Sequence, residues 1–324
     1  MPNLHDVKTK ETASARQPVR RTATRRRRRA GDVAFDVANV LLLSLLAFVT
    51  LYPFWNLLIV SLNDPIDAVR GDVYFWPRMF TWKNYGFILK SDNLLGAASM
   101  SVLRTLVGTA TSVFCTLMLA YTISRKEYVF RKFISAVFLF TMYFSGGLIP
   151  GYLLIRSLHL IGSFWVYIVP GLLGAFNLII ARSFIEQLPD SFVEAARMDN
   201  ASEFRIFLSI ILPLSMPVVA TLLLFVSVGH WNDWFTTFLY MGKNKKLTVL
   251  QYELMKLLQM ANTSAGASGN AGSQAMQLQG KGDVITPNAL RASMTVLVTF
   301  PILLVYPFLQ RYFVKGFTIG GVKE

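Results

Sequence analysis

The chain has 324 residues, of which 53% are hydrophobic and only 15% charged, whereas an average soluble domain carries about 25% charge. This composition excludes an ordinary soluble domain and indicates a membrane protein. The formal net charge of +14 is uneven, because residues 1–32 hold ten Lys and Arg against three Asp and Glu and so carry +7 of it. No aromatic residue interrupts these arginines, as a base-stacking platform would require, so nucleic-acid binding is also excluded.

The first element is the basic tail 1–32, which we predict to be disordered and cytoplasmic. It ends with the run Arg25 to Arg29 and is followed at once by a long apolar segment. Basic residues beside a span favour the cytoplasmic side and attract anionic lipid head groups. The tail therefore predicts the orientation of the first span and anionic lipids as partners. Residues 33–324 form the predicted transmembrane domain.

Apolar segments recur along this domain at close to the length of about 20 residues that crosses a bilayer. We predict six transmembrane helices, at 35–62, 95–123, 133–155, 164–185, 208–230 and 290–312. The short connection 124–132 is basic, whereas 63–94 balances acidic and basic residues. This asymmetry predicts an all-α, multi-pass protein with both termini in the cytoplasm and with 63–94 and 231–289 outside.

Arg104 is the most unusual polar residue within a predicted span. It lies about ten residues into the second span, hence about 15 Å deep, and the other spans offer no evident acidic partner at depth. Such a charge usually faces a cavity or a partner, although a long side chain can also snorkel to the interface. We predict that Arg104 lies on the substrate pathway, facing the central cavity or a partner subunit.

Glycines and a proline cluster in the third predicted span, at Gly146, Gly147, Pro150 and Gly151. Gly147 and Gly151 form a pair of small residues four apart, which allows close helix packing. The same residues could instead break the helix and expose backbone to a substrate pathway. Both interpretations stay open, and Gly146 and Gly147 are candidate pathway residues.

A polar loop, 186–213, separates the fourth and fifth predicted spans. Ser191 and Glu194 have the spacing of a capping box and predict the start of a short helix. Asp199-Asn200 is typical of a turn, because Asn tolerates a left-handed backbone. Ser202 is a candidate cap for a second helix, which continues into the fifth span and is expected to bend at its prolines.

The fifth predicted span ends in the aromatic and polar run Trp231, Asn232, Asp233 and Trp234. Tryptophans at this position are typical of an interfacial aromatic belt. Trp231, Asn232 and Trp234 could also bind a sugar or an external protein. Residues 261–282 follow, and their Gly, Ala, Ser, Asn and Gln content predicts a flexible external loop.

The sequence EAARMDNASEFRIFLSIILP, from Glu194 to Pro213, matches a loop pattern of E-A-A, three residues, Gly, nine residues and I-x-L-P. Asn200 stands where Gly is usual. This segment resembles the cytoplasmic coupling loop of permease subunits of binding-protein-dependent ABC importers. The segments FSGGLIPGYLLI, WNDWF and QRYFVKGFTIGGVKE resemble those of carbohydrate permeases, in particular the importers of lipo-oligosaccharides and of polysaccharide-derived oligosaccharides such as alginate fragments.

The resemblance implies the type I permease fold of ABC importers, in the cell inner membrane. It implies a second permease subunit, two ATPase subunits that bind ATP and Mg, an external solute-binding protein and an oligosaccharide substrate. An acidic sugar would suit a cationic pathway residue. The implied contacts with the ATPase fall on the coupling loop, at Glu194, Ala195, Ala196, Asp199, Asn200 and Ser202.

The sequence holds no phosphate-loop motif G-x-x-x-x-G-K-[ST], so we expect a partner to hydrolyse ATP. We expect no catalytic residue, no metal site and no cofactor in this chain. Two other transporters remain as alternatives: an ABC permease for another solute, such as a peptide or polyol, and an ion-coupled secondary transporter. The second would need acidic or histidine residues within its spans, which the sequence does not offer.

Overall fold

Helices make up nearly all regular structure in the computed structural model, which describes residues 30–71, 73–90, 94–242, 244–267 and 286–319. Among these residues there is no β-strand, only an isolated antiparallel bridge between Asn63 and Phe80. The chain divides into two units, Met1–Tyr52 and Pro53–Glu324. Most of the predicted basic tail, residues 1–29, lies outside the described residues.

The first helix, α1, runs from Ala30 to Ser61 and contains Pro53. It begins at Ala30, so the last residues of the predicted tail are already helical. The most apolar stretch of Gly31–Ser61 has a mean hydropathy of 2.1, and none of that stretch is buried within the chain. At about 1.5 Å per residue, α1 is about 48 Å long and exceeds the thickness of the hydrocarbon core.

Two short helices, α2 (Pro65–Val69) and α3 (Lys83–Lys90), precede the long helix α4 (Leu94–Ser124). α4 corresponds to the second predicted span, and half of its most apolar stretch is buried. It therefore lies at the centre of the second unit, where the helices described below pack around it.

Two predicted spans are interrupted. In place of 133–155 the structure has α5 (Arg131–Tyr143) and α6 (Leu148–Ser157), separated where Gly147 adopts a φ of 88°. In place of 164–185 it has a 3-10 turn, Phe164–Tyr167, and the helix α7 (Ala175–Ile185). Proline and glycine lie in both gaps or directly beside them, which is consistent with their poor fit to a helix interior.

The polar loop contains α8 (Ser191–Met198) and α9 (Glu203–Ile206), followed by a π-helical turn, Phe207–Ile211, and α10 (Leu212–Leu214). The next helix, α11 (Met216–Asn232), leaves at an angle of 84° to Glu203–Leu214. The bend predicted at Pro213 and Pro217 is therefore confirmed.

The C-terminal part of the second unit contains α12 (Phe235–Tyr240), a 3-10 turn (Lys245–Leu247), α13 (Leu250–Ala267) and α14 (Pro287–Ile319). α13 extends seven residues into the predicted flexible loop 261–282, whose remainder lies outside the described residues. Two helices are long and apolar enough to cross a membrane, or three if the bent pair counts as one. The described helices thus do not establish the predicted count of six.

The main core of the second unit lies between α4, α7, α8 and α11. Its fully buried members include Leu117, Leu178, Ile206 and Leu222. A second cluster joins α3, α13 and α14, and a third surrounds Tyr167 in the 3-10 turn. The helix α8 belongs to the main core, which places the polar loop in direct contact with the central helix α4.

Candidate functional site

The turn after α8 has the predicted backbone. Asn200 adopts a φ of 59°, in the left-handed region, and the Ser202 hydroxyl accepts a hydrogen bond from Arg205 N at 3.4 Å. Asn thus takes the position where the resembled pattern has Gly. The predicted capping box is wrong in one respect: Ser191 is already inside α8, and Asp190 precedes the helix without a side-chain cap.

The two faces of α8 have different environments. Val193 and Ala196 are buried, with exposed fractions of 3% and 8%, and they pack into the main core. Ala196 therefore packs against this chain's own core, and its predicted contact with an ATPase stays a prediction. The outward surface of the loop holds Glu194, Ala195, Asp199, Asn200 and Ser202, all exposed.

Two apolar side chains that the sequence analysis did not select also lie on this outward face. Phe192 is 46% exposed and Met198 is 88% exposed. Exposed apolar groups of this size on a helix that otherwise belongs to the core are typical of a docking surface. The helical spacing of Val193 and Ala196, three residues apart, could have indicated which face is buried.

An ion network joins α8 to the turn that follows α4. Arg197 lies between two carboxylates, with Nη1 3.0 Å from Glu127 Oε1 and Nε 2.9 Å from Glu203 Oε1. Glu203 also accepts a hydrogen bond of 2.6 Å from the Tyr121 hydroxyl on α4. A backbone hydrogen bond and then Arg197 hold the pKa of Glu127 below its usual range. These contacts connect the outward-facing loop to the central helix.

Arg104 lies inside the second unit, with 2% of its side chain exposed. Its guanidinium pairs with the Asp233 carboxylate, and Nη1 donates to the Asp233 backbone oxygen at 2.7 Å. Its Cζ lies 4.3 Å from the centre of the Tyr167 ring. The expectation that Arg104 has no internal counter-ion is therefore wrong, because Asp233, just beyond α11, provides one.

A cleft of about 510 Å³ opens beside this ion pair. Its walls combine aromatic rings with hydrogen-bonding groups, from α4, the 3-10 turn, α7, α11 and α12. The lining includes Arg104, Tyr167, Asn177, His230, Asp233 and Tyr240. Such a mixture of rings and polar groups can bind a hydroxyl-rich ligand, since apolar walls supply contact area and polar groups supply orientation.

The other predicted pathway residues do not line this cleft. Trp231 donates from Nε1 to the Val298 oxygen at 3.0 Å and packs against the second cluster. The Trp234 ring meets Phe235 edge to face and lies at a tilt to Phe238, with ring centres 5.7 Å and 6.1 Å apart. Asn232 is exposed at the end of α11. Within this chain, Trp231 and Trp234 thus have packing roles.

Gly146 and Gly147 lie in the exposed break between α5 and α6. A Cβ placed on either residue, or on Gly151, would meet no heavy atom within 4 Å. Close helix packing through these glycines is therefore not found among the described residues of this chain. The helix break predicted as the alternative is present.

Comparison with known proteins identifies the class. Residues 22–319 match the family described as the inner membrane component of binding-protein-dependent transport systems. The chain belongs to this family, so it is a permease component of an ABC transporter and not an enzyme.

Two relatives come from Bacillus subtilis (strain 168). Protein LplC is 35% identical, over 91% of this chain and 96% of its own length. The polygalacturonan/rhamnogalacturonan transport system permease protein YtcP is 34% identical, over 89% of this chain and 98% of its own length.

The fold also matches a solved structure of a bacterial ABC transporter involved in the import of the acidic polysaccharide alginate. The TM-score is 0.77 and the identity 26%, covering 88% of this chain and 98% of that chain. The coarse prediction of a helical permease fold is thereby confirmed.

Proposed function

We propose that this chain is a permease subunit of an importer that moves oligosaccharides across the inner membrane by alternating access. The observation that carries the proposal is the family match over 22–319, together with a relative and a structural neighbour whose names refer to the transport of polysaccharides. The aromatic and polar lining of the cleft is chemically suited to sugar rings and hydroxyls.

In the proposed assembly this chain pairs with a second permease subunit, two ATPase subunits and an external solute-binding protein. ATP and Mg bind to the ATPase subunits, because this sequence has no phosphate-loop motif.

The proposed topology has six spans, with both termini and the loop 186–213 in the cytoplasm. Interrupted helices are compatible with six crossings, since irregular backbone is tolerated where it is buried in protein or lines a cavity.

The proposed coupling surface is the outward side of α8 and the turn after it. Glu194, Ala195, Asp199 and Asn200 contact the ATPase there, together with Phe192 and Met198. ATP binding moves the docked loop, and the ion network at Arg197 transmits that movement to α4. Ser202 contributes by fixing the start of α9.

The proposed substrate path follows the cleft beside Arg104. Because Asp233 neutralises the guanidinium, the cleft is suited to neutral parts of a sugar, and Arg104 gives no reason to prefer an acidic one. An acidic oligosaccharide remains a proposal that rests on the relatives' names. The exposed break at Gly146 and Gly147 is proposed to line the path only in the assembled complex.

Uptake by the reconstituted complex tests this function. Proteoliposomes that contain all subunits receive loaded binding protein and a panel of neutral and acidic oligosaccharides, a peptide and a polyol. We expect ATP-dependent accumulation of at least one oligosaccharide. Accumulation of the peptide or the polyol alone would replace the oligosaccharide proposal by another ABC solute, and uptake without ATP would contradict the mechanism.

A further inference from the structure

The segment between α2 and α3 carries an exposed aromatic surface. Of the ten residues from Val73 to Trp82, here called the aromatic loop, five are aromatic. Their exposed fractions are 56% for Tyr74, 52% for Phe75, 75% for Trp76, 59% for Phe80 and 64% for Trp82. An exposed apolar patch of this density usually marks a surface that another molecule or a membrane covers.

The aromatic loop is held in a defined position against the end of α1. Asn56 Nδ2 donates to the Val73 oxygen at 2.9 Å, and Trp55 Nε1 donates to the Phe75 oxygen at 3.2 Å. At its other end, Thr81 N donates to the Leu62 oxygen at 2.9 Å. The loop therefore runs back along the last turns of α1 and does not extend away from it.

This attachment fixes the position of the loop along the last turns of α1. Trp55 lies six residues before the end of α1 at Ser61, which is about 9 Å along the helix axis. A helix that crosses the hydrocarbon core of about 30 Å ends among the head groups. If α1 crosses in this way, the Trp55 and Trp76 rings, whose centres are 6.0 Å apart, lie near the membrane boundary.

The charge distribution of the loop fits the same location. Its one charged residue is Arg78, whose Nε bonds to Asp67 Oδ2 at 3.0 Å. The charge of Arg78 is therefore neutralised within the chain, and the exposed surface of the loop is mainly aromatic. Tyr and Trp rings, which combine an apolar body with a polar N–H or O–H, are enriched at membrane interfaces.

We propose that the aromatic loop lies in the phospholipid head-group region and anchors the chain to the membrane surface beside the end of the first span. The occupant of the patch is the lipid bilayer, because Trp76 packs against Trp55 of α1, and Trp55, Phe54 and Leu58 on the same helix are exposed as well. This inference rests on the membrane location of the chain and holds whatever solute the transporter carries.

Depth-dependent fluorescence quenching tests the proposal. Cys115 is the chain's single cysteine, so Cys115→Ser allows one label in a complex whose other subunits lack reactive cysteines. Trp76→Cys receives an environment-sensitive fluorophore, and the full transporter is placed in nanodiscs with nitroxide lipids labelled near the head group. Lys246→Cys, also exposed and in a turn of the same predicted external side, is the water-exposed control. Leu43→Cys, exposed within α1, is the control for a label inside the predicted span, which a quencher near the head group should reach less well than the Trp76→Cys label.

We expect the Trp76→Cys label to be quenched at least about twofold more strongly than the Lys246→Cys label, as for a group about 5–10 Å into the interface. Met79→Cys, 58% exposed in the same loop, should behave in the same way and serves if Trp76→Cys does not assemble. A label that emits as in water and is not quenched by lipid would overturn the proposal. An emission that changes only when loaded binding protein is added would overturn it as well, because the patch would then be a protein docking site.

Discussion

Arg104 and Asp233 lie 129 positions apart in the sequence, yet they form one ion pair in the interior. The Tyr167 ring covers the Arg104 guanidinium, and its hydroxyl lies 2.8 Å from Thr237 Oγ1 on α12. The pair therefore links α4, the 3-10 turn and the start of α12. A charge in a membrane domain usually has such a partner, because its desolvation is otherwise uncompensated.

Removing one member of this pair should destabilise the complex. Breaking a buried ion pair costs about 3–5 kcal/mol, and we expect Arg104→Met to cost less, because the Asp233 side chain keeps 30% exposure. The double variant Arg104→Met/Asp233→Leu should regain part of the loss. Thermal denaturation of the purified complex measures both variants. A double variant no more stable than Arg104→Met alone would show that the two residues do not stabilise each other.

At the scale of elements, α8 presents two adjacent alanines to opposite environments. Ala196 is packed in the core and Ala195 is exposed. A substitution at Ala196 therefore tests the packing of the loop, and the same substitution at Ala195 tests its proposed contact with the ATPase.

Ala196→Trp should lower the thermal stability of the membrane domain, because overpacking a core typically costs about 1–3 kcal/mol. Ala195→Trp should leave that stability unchanged but reduce substrate-stimulated ATP hydrolysis. Asn200→Gly is the tolerated control, because glycine adopts the same left-handed turn. Normal stimulation in the assembled Ala195→Trp complex would remove this face of α8 from the proposed coupling surface.

Arg197 offers a second element-scale test, directed at transmission rather than docking. Exposed ion pairs are worth about 0–1 kcal/mol, and Arg197 and Glu203 keep side-chain exposures of 38% and 56%. Arg197→Ala should therefore change stability little while lowering the stimulation of ATP hydrolysis by loaded binding protein. Arg205→Ala, on the neighbouring turn, is the control. Equal stimulation in the two variants would contradict a role for the network in transmission.

The sequence predicted those features of the loop that depend on neighbouring residues. The left-handed turn at Asn200, the cap at Ser202 and the bend near Pro213 follow from local backbone chemistry. It did not predict the Asp233 partner of Arg104 or the burial of Ala196. Both depend on how helices that are distant in sequence pack together. The depth of Arg104, counted along its own span, does not indicate that the residue after α11 lies beside it.

At the scale of the whole molecule, the described helices differ most from the sequence-based expectation in the number of long apolar spans. Apolar length predicted six uninterrupted helices, whereas α5 and α6 are separated at Gly147, and α7 begins after an irregular stretch. Glycine and proline marked both places, but composition alone does not distinguish a bend inside one span from two separate elements. Orientation must therefore be measured from both sides of the membrane.

Cysteine accessibility in whole cells measures that orientation. In the Cys115→Ser background, Lys246→Cys should react with an impermeant reagent added outside, because its turn belongs to the predicted external region 231–289. Val129→Cys, 86% exposed in the basic connection after α4, should react only after the membrane is permeabilised. The basic flanks motivate this assignment, since Lys and Arg concentrate on the cytoplasmic side of short loops. Reaction of both variants from outside would contradict a span count that places them on opposite faces.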